Sequence, residues 1–303
     1  MYVYLPIAEL SVHLLIPLGL GAGIGVLSGL FGVGGGFLMT PLLMLLGVPP
    51  AVAVASGANQ IVASSTSGLI AHWRRGNVDL KMGAMLVCGG LLGSASGVGL
   101  FSVLDRLGQI DLVIGLSYVL LLGTLGGLML YESVRASLRY RRHGPRRGRL
   151  HQHFWLHRLP FKARFRKSRL YISSLLPLTL GAGVGVMTAV MGVGGGFLLV
   201  PAMVYLIGMP TAVVIGTSLL QIAVVSACVT FLQATENQNV DVVLSLLLIL
   251  GGVIGAQYGA RLGAHIRGEQ LRLLLALVVL SVCGEVAYQL FTEPADIFSL
   301  ASW

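Results

Sequence analysis

The sequence predicts an all-α polytopic membrane protein made of two homologous repeats, each with a glycine-broken first helix, and three observations lead there. Apolar residues make up 55% of 303 and charged residues only 10%, with a mean hydropathy of +0.87, far from the usage of water-soluble domains. A glycine cluster occurs twice, in GLFGVGGGFLMTP at Gly29–Pro41 and in AVMGVGGGFLLVP at Ala189–Pro201. Most of the positive charge is gathered between the two copies.

In chain order, predominantly apolar windows fall at residues 11–31, 51–71, 82–103, 110–131, 171–191, 211–232, 242–262 and 270–291. Each approaches the roughly 20 residues that a bilayer core requires. Two shorter apolar pieces, 36–47 and 196–208, follow the glycine clusters. They are too short for a comfortable span and too apolar for a surface loop, so the expected inventory is eight long spans plus two short segments. No positive n-region or small-residue cleavage site precedes the first window, so no removable signal peptide is expected. Cys88, Cys228 and Cys283 lie in apolar segments without CxxC spacing and read as packing residues.

Residues 132–170 hold 13 of the 20 Lys and Arg with one acid, Glu132. Short basic loops stay in the cytoplasm and attract anionic lipid, so this segment is expected to be a cytoplasmic linker between repeats at 1–131 and 171–303, with anionic lipids as its partner. Nucleic acid is not expected, because no binding fold accompanies the charge. His151, His153 and His157 have metal-like spacing, but the surrounding cations disfavour a metal, and no cofactor is expected.

The chain aligns on itself. GAGIGV at Gly21–Val26 recurs as GAGVGV at Gly181–Val186; past one inserted residue, GVPPAVAVASGANQI meets GMPTAVVIGTSLLQI, which pairs Gln60 with Gln221. NVD at Asn77–Asp79 recurs at Asn239–Asp241, and GGLLGSASG recurs as GGVIGAQYG. Arg74, Arg75 and Lys81 flank the first NVD loop, whereas the second has no Lys or Arg and the positive charge moves to Arg261, Arg267 and Arg272. That exchange favours an inverted repeat over a parallel one; four long helices per half would give the parallel alternative.

Gly32, Gly34, Gly35 and Gly36, with Gly192, Gly194, Gly195 and Gly196, make poor helix, each glycine costing about 1 kcal/mol against Ala in a helix interior. Broken backbone inside a membrane is tolerated only against protein or a water-filled cavity. The short helices that follow would turn unpaired N–H groups and positive dipole ends toward an anion. Gly21, Gly23 and Gly25 and their mates Gly181, Gly183 and Gly185 read instead as sites of close helix packing. Ser56, Asn59 and Gln60 on the third segment, with Thr217, Ser218 and Gln221 on its mate, supply donors suited to oxyanion oxygens, although interhelical hydrogen bonding explains the serines better. Glu285 near the middle of the last window is either a proton carrier or an interface-facing acid, and His72 beside Trp73 reads as an interfacial anchor. GVGGGF fails the dinucleotide pattern GxGxxG, and neither HExxH nor GxSxG occurs, so no enzyme is expected.

GVGGGF followed by Pro41, then GVPPAVAVASGANQIVASSTSG and HWRRGNVD, with the second-half echo GVGGGFLLVP and GTSLLQI, resembles the sulfite exporter TauE/SafE family of membrane permeases. The resemblance spans the chain apart from the linker. It implies a multi-pass protein of the bacterial inner membrane that moves small sulfur-containing or carboxylated anions. The linker of 39 residues and SGANQ in place of GTSL depart from a compact member. Together the motifs and the resemblance lead to a secondary transporter exporting a small anion, sulfite or an organosulfonate, by alternating access where the repeats meet. An anion channel on the same cavity and a non-transporting scaffold acting through the linker are the alternatives. A homodimer is compatible with the sequence.

Overall fold

The structure is a computed structural model that describes residues 2–31, 35–143, 162–165, 167–168, 170–263 and 268–292. The first half opens with an antiparallel hairpin, β1 (Tyr2–Leu5) and β2 (Leu10–His13). Five helices follow: α1 (Leu15–Phe31), α2 (Gly36–Leu45), α3 (Pro50–Arg74), α4 (Leu80–Arg106) and α5 (Ile110–His143). The second half repeats the plan with β3 (Lys162–Phe165), β4 (Leu170–Ser173), α6 (Leu175–Met191), α7 (Gly196–Ala202), α8 (Thr211–Leu232), α9 (Val242–Gly263) and α10 (Gly268–Phe291).

The two hairpins correct the all-α expectation. A lone two-stranded hairpin is marginal in isolation, and these four-residue strands carry too little pattern to be read locally. They are held by tertiary contacts: Leu5, Ala8 and Phe165 are buried, and each hairpin is bonded to a buried aspartate described below. The 11–31 and 171–191 windows therefore begin in strand, and their helices are only 17 residues long. Among the described residues, five helices are long and apolar enough to cross a membrane: Leu80–Arg106, Ile110–Tyr131, Val213–Asn237, Val242–Gly259 and Leu273–Phe291. α3 has the length, at 25 residues, but carries a buried polar face. α5 continues past residue 131 into the basic segment as far as His143. Gly32, Gly34, His151, His153 and His157 lie outside the described residues.

Local chemistry sets the ends of these elements. Pro50 opens α3 at a position where no helical N–H is needed, and Gly192 closes α6 in the left-handed conformation with its N–H on Thr188 O at 2.9 Å. The second half is longer by two residues, and both additions are absorbed within helices. Equivalent positions differ by 160 at Gly36 and Gly196, by 161 at Gln60 and Gln221, and by 162 at Asp79 and Asp241. The two steps coincide with wide π turns at Met203–Ile207 and Gln233–Asn237, the form that one extra residue takes inside a helix.

Two seams join the halves. α1 packs on α9 with backbone touching backbone: a Cβ on Gly25 would overlap Gly252 O, and one on Gly255 or Gly259 would overlap Ala22 O or Val26 O. α6 packs on α4 in the same way, through Gly185 against Gly90 O and Gly93 against Ala182 O. In each seam the numbers rise together, so paired helices run in the same direction. α3 and α8 cross in opposite directions, since Ala58 packs with Val225 and Val229 while Gly68 meets Leu219.

Candidate functional site

Gly35 (φ +61°), Gly192 (+69°), Gly194 (+70°) and Gly195 (+70°) hold the left-handed backbone that side chains with a Cβ resist. These residues turn each short helix back along its predecessor. Gly35 lies against Ile24 and Ser28 of α1, and Gly195 against Val184 and Thr188 of α6. The starts of the returning helices then meet. Gly36 lies against Ile61 and Val193 O, Gly194 lies between Ile61 and Ile222, and the rings of Phe37 and Phe197 stack with centroids 4.3 Å apart. The described parts of the two breaks therefore adjoin at the crossing of α3 and α8.

The polar residues around that crossing divide into two groups. Ser56 and Thr217 are fully buried, but their hydroxyl oxygens accept the backbone N–H groups of Asp241 and Asp79 at 3.0 and 3.1 Å. Ser218 donates to Ile215 O within its own helix, and Asn59 is only partly buried. Gln60 and Gln221 differ from all of these. Both are fully buried, and neither the Nε2 nor the Oε1 atom of either side chain has a hydrogen-bond partner. Gln60 lies beside Gly252 of α9 and Gln221 beside Gly90 of α4, so each amide reaches a glycine seam. Ser65 and Ser226, equivalent in the two halves, are likewise buried with unpartnered hydroxyls. An unbonded buried polar group costs on the order of 1–3 kcal/mol, so two amides and two hydroxyls at matched positions carry a cost that a polar partner would relieve.

Several residues that sequence reasoning passed over support this centre. Asp79 Oδ1 accepts Met82 N at 3.2 Å, capping α4, while Oδ2 accepts Ser168 N and Oγ at 3.0 and 2.6 Å. Asp241 accepts Leu244 N at 3.0 Å and Ile7 N at 3.1 Å. The recurrence of NVD marked both positions, but it carried no sign of which strand each carboxylate would hold. Tyr118 of α5 donates to Met191 O at 2.5 Å, beside the second break. Gln233 Nε2 donates to Ala189 O at 3.2 Å, and its Oε1 takes Asn237 Nδ2 at 2.6 Å, whose Oδ1 takes Ser102 Oγ at 2.8 Å. A tyrosine in the middle of an apolar window was a usable signal for Tyr118; the π turn that positions Gln233 had none. Glu285 is exposed on α10, away from the centre.

These features define a multi-pass membrane protein of two interleaved units with a polar, buried centre. Its family follows from comparison with known proteins: the Sulfite exporter TauE/SafE family matches residues 16–286, and the chain belongs to that family. A probable membrane transporter protein of Xylella fastidiosa (strain 9a5c) is 30% identical over 280 residues, covering 91% of this chain and 95% of that one. The probable membrane transporter protein YjnA of Bacillus subtilis (strain 168) is 26% identical over 269 residues, covering 86% and 94%. A shorter match, 44% over 48 residues and 16% of this chain, is to Sulfite exporter TauE/SafE family protein 1 of Arabidopsis thaliana. No solved structure matches the chain.

Proposed function

We propose that this transporter exports a small anion, sulfite or an organosulfonate, from a site at the crossing of α3 and α8, between the two glycine breaks. The observation that carries the reading is the pair of buried, unpartnered amides of Gln60 and Gln221. Two N–H donors on each suit an oxyanion, and they bind it without a fixed charge in the membrane. Gly35 and Gly36, with Gly192, Gly194, Gly195 and Gly196, shape the space; Ser56, Thr217, Ser218 and Asn59 frame it. The substrate class rests on the family description and on the printed name of the Arabidopsis relative.

Three features support an inverted arrangement of repeats at 1–131 and 171–303. α3 and α8, which are equivalent, run oppositely; the start of α3 lies by Asp241 at the end of α8; and the start of α8 lies by Asp79 at the end of α3. Five segments per half then include one short returning helix. Arg74, Arg75, Lys81 and the basic linker put one face in the cytoplasm of a bacterium, with the linker on anionic lipid. A negative interior drives a monoanion outward by about 2.3 kcal/mol per 100 mV. The stacked phenylalanines between the breaks favour a carrier that opens to one side at a time over a continuous channel.

Thermal unfolding of the purified protein with sulfite, sulfate, thiosulfate, sulfoacetate, taurine and carboxylates, paired with uptake into proteoliposomes, tests the reading. One sulfur oxyanion should raise the midpoint, by about 2.7 kcal/mol of stabilisation at a hundredfold excess over Kd. Gln60→Leu and Gln221→Leu should abolish that shift and cut transport at least about tenfold, yet leave the ligand-free protein as stable or more so, because each removes an unbonded amide. Glutamine variants that lose stability without ligand and keep the anion shift would show these residues to be packing groups.

A further inference from the structure

A cavity of about 290 Å³ lies where the β3–β4 hairpin meets the first turn of α4, lined by Asp79, Leu80, Lys81, Arg164 and Lys167. Its charge is unbalanced. Among the described residues the one carboxylate, Asp79, is buried and already accepts Met82 N, Ser168 N and Ser168 Oγ. The two lysines rest on backbone oxygens, Lys81 Nζ on Arg164 O at 3.3 Å and Lys167 Nζ on Gly76 O at 3.4 Å. All three cations are exposed at the rim.

At the other end of the molecule the same joint is built without these cations. There the same hairpin, aspartate and helix start are assembled from β1–β2, Asp241 and α9, and the positions of Lys81, Arg164 and Lys167 are taken by Val243, Tyr4 and Ile7. Both ends keep the carboxylate that builds the joint; only one adds cations around it. Exposed Lys and Arg around a cavity of this size, on one face among the described residues, keep donors and positive charge free for a small oxyanion beyond the single backbone bond that each lysine makes.

We propose that this cavity is a one-sided binding site for a sulfur or phosphorus oxyanion, serving as the intake site on the face that bears the basic loops. The intake role rests on the transport reading above; binding in the cavity does not. The natural occupant is either a free anion or the phosphate of a lipid headgroup, which present the same oxygens to the same cations.

The test uses the full chain in phosphatidylcholine nanodiscs, titrated calorimetrically with sulfite under argon at low ionic strength. The Gln60→Leu/Gln221→Leu protein isolates the cavity and should still bind sulfite. Adding Lys81→Gln, Arg164→Gln and Lys167→Gln should weaken that binding about tenfold or more. Lys81→Arg with Lys167→Arg should retain it, and an unchanged elution profile checks that each variant folds. Equal affinity with and without the three cations, or no sulfite binding once the glutamines are replaced, overturns the cavity proposal and leaves the central site standing. Binding that depends on the cations but not on the glutamines, without transport, removes the central reading instead. Repeating the titration with phosphatidylglycerol in the discs separates the sources. A drop in sulfite affinity confined to protein with the cations identifies a lipid phosphate as occupant, and an unchanged affinity identifies the free anion.

Discussion

At one end of the molecule Asp241 ties the β1–β2 hairpin to the start of α9, and at the other Asp79 ties β3–β4 to the start of α4. Both carboxylates are buried, both cap a helix, and the backbone N–H of each is bonded to a hydroxyl from the opposite half, Ser56 or Thr217. The ends differ in what surrounds the joint: Tyr4, Ile7 and Val243 on one, Arg164, Lys167 and Lys81 on the other. The comparison separates scaffold from specialisation. What the two ends share is required to close the fold, and what they do not share is free to set the charge of one face.

The most severe way to break the comparison lies in the seams. Gly25→Leu and Gly185→Leu force a side chain into the backbone of the partner helix, and each should cost about 3 kcal/mol or more, read as a lowered unfolding midpoint and loss of monodisperse protein. Gly23→Leu and Gly183→Leu, which have open space at the Cβ position, should stay within about 0.5 kcal/mol of the parent. Markedly unequal costs for Gly25 and Gly185 would show that the seams are not mechanically equivalent. A finer cut uses the aspartates. Asp79→Ala forfeits three accepted hydrogen bonds and Asp241→Ala two, so the first should destabilise by about 1 kcal/mol more in chemical unfolding. A further loss, smaller than that at the seams, is expected at Tyr118→Phe, which removes the bond to Met191 O. A loss of about 1 kcal/mol, with faster amide exchange confined to residues 192–196, would mark the tyrosine as a brace of the second break.

The sequence displayed whatever depends on local chemistry. Four glycines within five residues make poor helix, so the breaks and the short helices after them were readable from GVGGGF, as was the doubling of the chain. The partner of each element was hidden. Nothing in GAGIGV says that α1 will lie along α9 rather than along a helix of its own half, because that choice is made when the halves dock. The same docking decides that Ser56 and Thr217 serve the NVD turns while Gln60 and Gln221 keep their amides unbonded. The hairpins escaped because four-residue strands owe their existence to Asp79 and Asp241, residues far away in the chain.

The seams also decide what can travel as a rigid piece. Each welds a helix of one repeat to a helix of the other through close backbone contacts at glycines, so turning one whole repeat against the other would pull both welds apart. In the carrier proposed above, the units able to move intact would be α1 with α9 and α4 with α6, each drawn from both repeats. The chain repeats by halves, but the proposed motion divides it along a different line.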